Sequence, residues 1–400
     1  MAALPQDPHT TAAAIVRWYE SKPGEHRPHM GASLIGHTCD RYIWSVWRWV
    51  LTPKHKGRIL RLFDTGRREE ARLLEELRGL GVQVWDVDPA SGDQWRVSAH
   101  RGHFGGSLDG VAKGLPEAPK TPAVLEFKTH SVKSFAELQS KRVQGAKPQH
   151  HDQMQVYMGL MNIDRALYLA VCKDTDELYS EWVHFDADRF AQLMARAERL
   201  INATEPPDRL SNDPTHWQCK WCDMYQHCHQ GVAAEANCRT CCHASPVDDA
   251  AWRCEVHDGT VPLDFQRKGC EHHLLIPKLV PYAEPVDGGT SWVAYKHRDT
   301  GAHFVNGQDL PDTTYGPCFS SAELHRCPGG LVPGAAEVKE VFPGAVVING
   351  SVERPEALGT AFDDMESDDL DTVPTKRDAP AKRESRKRIA DSLRQLEALS

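Results

Sequence analysis

Apolar residues recur at helical spacing between Asp64 and Arg78, where Phe63, Leu73, Leu74 and Leu77 share one face of a 3.6-residue period. Glu70 falls near the centre of that stripe, while Glu69, Glu75 and Glu76 point elsewhere. A carboxylate on a buried helix face is costly unless it is paired or bound to a cation, so Glu70 is a candidate site residue. The pattern is also helical from Thr10 to about Trp49, with Gly31-Ala-Ser33-Leu-Ile-Gly36 preceding Cys39.

After this helical part come β-like runs: Val82 to Val87, Trp95 to Ala99, His103 to Ala112 and Ala123 to Thr129, separated by Gly, Pro, Ser and Asp clusters. They read as a meander feeding a central strand. His150 to Met161 returns to helix, Leu167 to Lys173 reads as a strand, and Asp188 to Asn202 as an amphipathic helix. This order predicts an α/β (α+β mixed) fold, a central mixed sheet flanked by helices.

The pattern divides the chain into four parts: 1–230, carrying the helices and strands above; 231–281, compact and rich in Cys and His; 282–355, rich in Gly and Pro with little to identify a site; and 356–400. In the last part an acidic run (Asp363 to Asp371) precedes a basic one (Lys376 to Arg388), a composition expected of a flexible charged tail. Ile389, Leu393, Leu396 and Leu399 have the spacing of a short terminal helix.

Composition narrows the classes. No run approaches 18 apolar residues and the N-terminus lacks a basic and an apolar region, so neither a membrane span nor a secretory signal is expected and the cytosol is the default compartment. There, 12 cysteines with CxxC spacings read as metal ligands rather than disulfides. The net charge of −9 disfavours a nucleic-acid partner until it is divided along the chain. Met1 to Gln230 holds 29 Lys+Arg against 29 Asp+Glu, leaving 18 against 27 for the other 170 residues, which is the whole excess. Within the neutral part, Arg58, Arg61, Arg67, Arg68, Arg72, Lys128, Lys133, Lys141, Arg142 and Lys147 are available as a basic rim for phosphates; ordinary solvated helix faces are the alternative.

The candidate chemistry lies between Cys39 and the run Cys219-Lys-Trp-Cys222-Asp-Met-Tyr-Gln-His-Cys228. This bracket encloses Gly106-Ser-Leu-Asp109 and Glu126-Phe-Lys128. If their strands are neighbours, Asp109 and Glu126 project toward one point, and Lys128, two residues on, shares the face of Glu126. Hard oxygen ligands favour Mg²⁺ or Mn²⁺. Such an ion activates water and neutralises charge on a scissile phosphate, while a lysine orients the water.

These residues resemble the RecB/AddB-type branch of the PD-(D/E)xK nucleases, particularly its iron-sulfur members, which include the CRISPR-adaptation exonucleases. The likeness spans roughly Gly31 to His229. It rests on Glu70 four residues after Gly66, on Gly106-Ser-Leu-Asp109, on Glu126-Phe-Lys128, and on Gln153-Met-Gln-Val-Tyr157, with His150 three residues before Gln153 on nearly the same helix side. Many relatives have histidine where this chain has Glu70. The resemblance implies a restriction-endonuclease-like fold in which Asp109 and Glu126 bind Mg²⁺ or Mn²⁺ with help from the Phe127 carbonyl. Glu70 would complete or support the site, Lys128 would position water, and Gln153, Tyr157 and His150 would contact substrate or brace the site. It further implies a 4Fe-4S cluster on Cys39, Cys219, Cys222 and Cys228, with zinc on the same thiolates as the alternative.

A second metal site is read in Cys238-Arg-Thr-Cys241, Cys254 and Cys270, a spacing that tetrahedral zinc fits, with His257 or His272 competing for the fourth place. This stretch resembles the small zinc-ribbon-like appendage of phage recombination proteins. The expectation is therefore a Mg²⁺- or Mn²⁺-dependent DNA exonuclease of phage or prophage, in a bacterial cytosol, acting in recombination or end processing. Its partners would be DNA and a single-strand annealing protein or helicase. A non-cleaving nucleic-acid-binding accessory protein and a structure-specific endonuclease are the alternatives.

Overall fold

The computed structural model describes residues 10–22, 27–307, 315–327, 329–330, 334–342 and 344–347. The acidic and basic runs and the short helix expected after residue 356 lie outside these residues.

The N-terminal helical stretch is broken. Helix α1 (Thr11–Glu20) is capped by the Thr10 hydroxyl, which accepts from the Ala13 amide. The chain then forms a short strand, β1 (Met30–Gly31), before α2 (Asp40–Trp47) begins with Cys39 as its cap residue. What overrides the helical pattern is pairing: β1 lies parallel to β4 (Phe104–Ser107), with Met30 beside Phe104. Such a partner is far away in sequence and leaves no local signal. Helix α3 (Gly57–Gly79) is longer than the periodic window from Asp64 to Arg78, and its Ile59, Phe63, Leu73, Leu74 and Leu77 are buried.

Two sheets replace the expected single meander. Strand β3 (Arg96–Ala99) completes a small sheet in the order β1-β4-β3. The central mixed sheet has five strands: β2 (Gln83–Trp85), β5 (Gly110–Lys113), β6 (Ala123–His130), β7 (Arg165–Cys172) and β8 (Leu178–His184), in that spatial order. Only β6 and β7 are parallel neighbours, and the crossover between them carries α4 (Val132–Ala146) and α5 (Pro148–Met161). The run from His103 to Ala112 is thus divided between sheets, with Leu108 and Asp109 at the changeover.

Each face of the central sheet has its own helical cover. Leu125, Phe127, Leu167 and Val171 pack with Leu73, Leu74 and Leu77 of α3. The residues alternating with them, Val124, Ala166, Tyr168 and Ala170, join Met154, Tyr157 and Met158 of α5 in the larger core. Helix α6 (Ala187–Asn202) adds Leu193, Ala197, Leu200 and Ile201 to that core.

Two short helices, α7 (Trp217–Lys220) and α8 (Tyr225–His229), carry the cysteine triplet. Beyond them β9 (Ala244–Pro246), β10 (Trp252–Cys254) and β11 (Gly259–Thr260) form a small antiparallel sheet, followed by α9 (Leu263–Gln266). The Gly/Pro-rich segment, featureless in sequence, holds a further sheet of β12 (Ala283–Gly288), β13 (Trp292–His297), β14 (His303–Gly307) and β15 (Cys318–Phe319).

The Cys-rich segment is fastened to the helical part by buried arginines. Arg239 donates to the carbonyls of Trp47 and Pro28 and to Gln266, and its guanidinium lies 3.7 Å from the Trp49 ring centre. Arg48 of the preceding helical region returns the contact by donating to the carbonyl of Arg239.

Candidate nuclease and metal sites

Strand register builds the first site. Strands β5 and β6 are antiparallel with Gly110 opposite Leu125, so one step further places Asp109 opposite Glu126. Strand β5 begins at Gly110, and the Phe127 amide, past the start of the pairing, donates to Asp109 Oδ2 at 2.6 Å. Lys128 Nζ lies 2.7 Å from Glu126 Oε1, as two side chains on one strand face allow. Asp109, Glu126 and Lys128 are all buried. In this desolvated corner the lysine attracts a carboxylate more strongly than it would in water, and the two acids repel each other more strongly as well.

The wall of this corner comes from β7 and α5. Tyr168 stands beside Glu126 across the parallel pair, and its hydroxyl lies 2.9 Å from His150 Nδ1 and 2.8 Å from His130 Nε2. His130 continues the Glu126–Lys128 face by two residues, and its Nδ1 reaches Ser134 at 3.0 Å. The alternation Glu126, Lys128, His130 was visible in the sequence, but the histidine gained significance only from the tyrosine across the strand.

Gln153 and Tyr157 lie one helical turn apart on α5, with the Gln153 amide donating to the Tyr157 hydroxyl at 3.1 Å. Gln153 Oε1 is buried with no hydrogen-bond partner among the described residues. The Tyr157 ring crosses over Gly106, where an added Cβ would come within 2.6 Å of the hydroxyl. The glycine of the Gly-Ser-Leu-Asp run therefore admits the aromatic ring that closes the corner. Glu70, half-buried, is on α3, the helix packed against the Leu125 and Phe127 face. Asp109 and Glu126 alternate with Gly110, Leu125 and Phe127 along their strands.

Two cysteine clusters are assembled elsewhere. Cys39, Cys219, Cys222 and Cys228 line one small cavity with Arg41, Tyr42 and Arg209. Burial pushes the Cys222 thiol up to about 12, with the charges of Cys228, Asp223 and Cys39 adding to it, and burial likewise raises Cys219 and Cys228. Cys238, Cys241, Cys254 and Cys270 line a second cavity of about 440 Å³ with His243, His257 and His272. Burial first, then Cys241, Cys270 and Cys254, push Cys238 up to about 12. Cys270 is thus an electrical neighbour of the other three, whereas the His257 and His272 rings face each other at 6.0 Å. Among the described residues, no three His, Cys, Asp or Glu side chains form a ready metal-binding group. Cys172 is a buried strand residue. Among the described residues no helix is long and apolar enough to cross a membrane.

No protein-family model and no curated protein sequence matches the chain. Among solved structures, SSO0001 is similar at 14% identity and a TM-score of 0.33, covering 56% of this chain and 98% of that one. The alkaline exonuclease LHK-Exo from Laribacter hongkongensis is similar at 15% identity and a TM-score of 0.27, covering 46% of this chain and 90% of that one. A structure of LHK-Exo in complex with dAMP, at 14% identity and a TM-score of 0.28, covers the same shares.

Proposed function

We propose that the protein is a Mg²⁺- or Mn²⁺-dependent DNA exonuclease whose reaction centre is the Asp109–Glu126–Lys128 corner. The observation that carries this reading is the capture of the Phe127 amide by Asp109. It holds one acid against the strand that carries the other acid and the lysine. The donor set fits the ion: Mg²⁺ is commonly held by one or two carboxylates, with water and phosphate oxygens supplying the rest. Asp109, Glu126 and the Phe127 carbonyl would hold it, and Glu70 is assigned a supporting role from the α3 side. Once bound, the ion acidifies water and offsets charge on the scissile phosphate.

The remaining roles belong to the chain. Lys128, held by Glu126, orients a water molecule and places a positive charge beside the developing negative charge of the phosphate. His150, through Tyr168, braces the strand beside Glu126, and Gln153 with Tyr157 shapes the wall toward the substrate.

The same proposal extends to both cysteine quartets. Four sulfurs around one cavity are the donors a 4Fe-4S cluster requires, and Cys39, Cys219, Cys222 and Cys228 are assigned to it as a clasp joining α2 to the α7–α8 segment. Cys238, Cys241, Cys254 and Cys270 are assigned to zinc. DNA is the substrate, and a single-strand annealing protein or helicase is the partner class for duplex ends.

The test is cleavage of end-labelled linear single and double strands beside a closed circle, with Mg²⁺ or Mn²⁺, by wild type, Asp109→Asn and Lys128→Ala. Loss of linear DNA alone, abolished in both variants, is the expected result. Cutting of the circle would replace the exonuclease with an endonuclease. Inactivity of the folded, metal-loaded protein would leave a binding protein.

A further inference from the structure

Several of the ten cations that the sequence offered for phosphate contact meet acids. Lys128 is engaged with Glu126, Lys141 with Glu137, and Arg142 with Glu181. Arg72 bonds both oxygens of Asp176 and also reaches Glu69 and Glu76. The N-terminal half of α3 carries the densest run of these cations. Arg58, Arg61, Thr65, Arg68 and Arg72 follow each other at spacings of three and four, forming one stripe on the side away from buried Ile59, Phe63 and Leu77. At the Arg72 end three acids gather: Glu69, Glu76 and Asp176.

Helix α1 lies against that half. The Glu20 carboxylate accepts from the Gly57 amide at 2.7 Å, and the Tyr19 hydroxyl donates to Asp64 at 3.1 Å. Within residues 10–22 and 54–68 there are eight Lys+Arg against only Glu20 and Asp64. Both acids are already engaged, Asp64 with Arg67 and Arg68 together. All eight cations are exposed, Arg68 with 77% of its side chain accessible. On α1, Trp18 is 57% exposed, with Lys22 Nζ 3.8 Å from its ring centre.

Resting on the nuclease reading, we infer that this α1–α3 surface binds single-stranded DNA outside the reaction centre. Arg58, Arg61 and Arg68 would take backbone phosphates and Trp18 would take a base face. Charge complementarity argues for a polyanion. The exposed indole selects a single strand, because a duplex keeps its base faces stacked inside. From Arg58 to Arg68 the helix rises about 15 Å, enough to follow a backbone rather than hold one isolated phosphate.

The experiment measures binding of a dT20 strand and of a blunt hairpin duplex, in EDTA, across a series of salt concentrations. Removing three phosphate contacts lowers the slope of log affinity against log salt by about 2 for a single strand. Arg58→Gln/Arg61→Gln/Arg68→Gln is expected to show that shallower slope and at least about tenfold weaker binding at low salt, while the triple lysine variant keeps the wild-type slope. Trp18→Ala is expected to weaken the strand at least about fivefold and leave the duplex unchanged. Wild-type affinity and slope in the glutamine variant would overturn the proposal, as would equal loss of strand and duplex in Trp18→Ala. Asp109→Asn is expected to bind as wild type. Wild-type protein that binds through this surface yet cuts nothing would sink the nuclease reading and leave the surface standing.

Discussion

Asp109 and Phe127 are 18 residues apart, yet the Asp109 carboxylate accepts the Phe127 amide proton at 2.6 Å, in the gap just before β5 begins. The side chain replaces a missing rung of the sheet and thereby holds its charge next to Glu126. Structure and proposed chemistry use the same atom group.

This double use separates the effects of substitutions. Asp109→Asn keeps an acceptor for the amide and is expected to unfold near the wild-type temperature while losing at least about 100-fold in metal-dependent cleavage. Lys128→Met leaves the buried Glu126 charge without its ammonium neighbour and is expected to cost about 3 to 5 kcal/mol. Glu126→Gln/Lys128→Met should recover most of that loss in urea unfolding. A double variant no more stable than Lys128→Met alone would show that the pair is not what holds the corner.

Arg239 is fully buried with carbonyl partners at Trp47 and Pro28. Arg239→Met strands those acceptors and is expected to destabilise the protein by about 3 kcal/mol or more. Arg239→Lys should restore little, because an ammonium cannot span the planar set of partners. Chemical denaturation of the three proteins checks this, and a lysine variant as stable as wild type would remove the geometric explanation.

Burial pulls the His103 imidazole down to about 4; Arg239, Arg101 and Arg48 push the same way, against the Val247 carbonyl. The folded value lies below the unfolded one, so the stabilisation is complete above about pH 6.5 and is lost as pH falls toward 4. Between pH 6.5 and 5 the loss from this group is about 2 kcal/mol. His103→Gln is expected to flatten the stability profile over that interval, and an unchanged slope would assign the acid sensitivity to other groups.

The cysteine quartets are separable by metal analysis. Cys254→Ser is expected to release zinc and lower the melting temperature, while Cys242→Ser, exposed and outside the assigned quartet, retains both. Cys222→Ser in anaerobically purified protein should abolish visible absorbance and leave zinc in place. Zinc retained in Cys254→Ser would refute the assignment of that ligand.

Local patterning made α3, β6, α5, β7 and α6 legible, because each carries a long apolar stripe or run with clear punctuation. Strand β8 and the sheet from Ala283 to Phe319 were not legible. Exposed or half-buried positions predominate in β8 and β12, and Gly and Pro around the strands from Ala283 to Phe319 mimic loop composition, so their order comes from partners rather than from pattern. The same holds for β1, two residues long and paired across more than 70 positions.

The sequence by itself determined which residue types were available: two acids and a lysine at strand spacing, two cysteine quartets, and a run of arginines along one helix. Only tertiary structure decided which of them meet. Register between β5 and β6 set Asp109 opposite Glu126. Ion pairs engage Arg72, Lys141 and Arg142, and Asp64 engages Arg67 and Arg68 on α3. The physical reason is that spacing along a chain constrains only near neighbours, whereas electrostatic attraction, metal ligation and burial act through distances that exist once distant strands have paired.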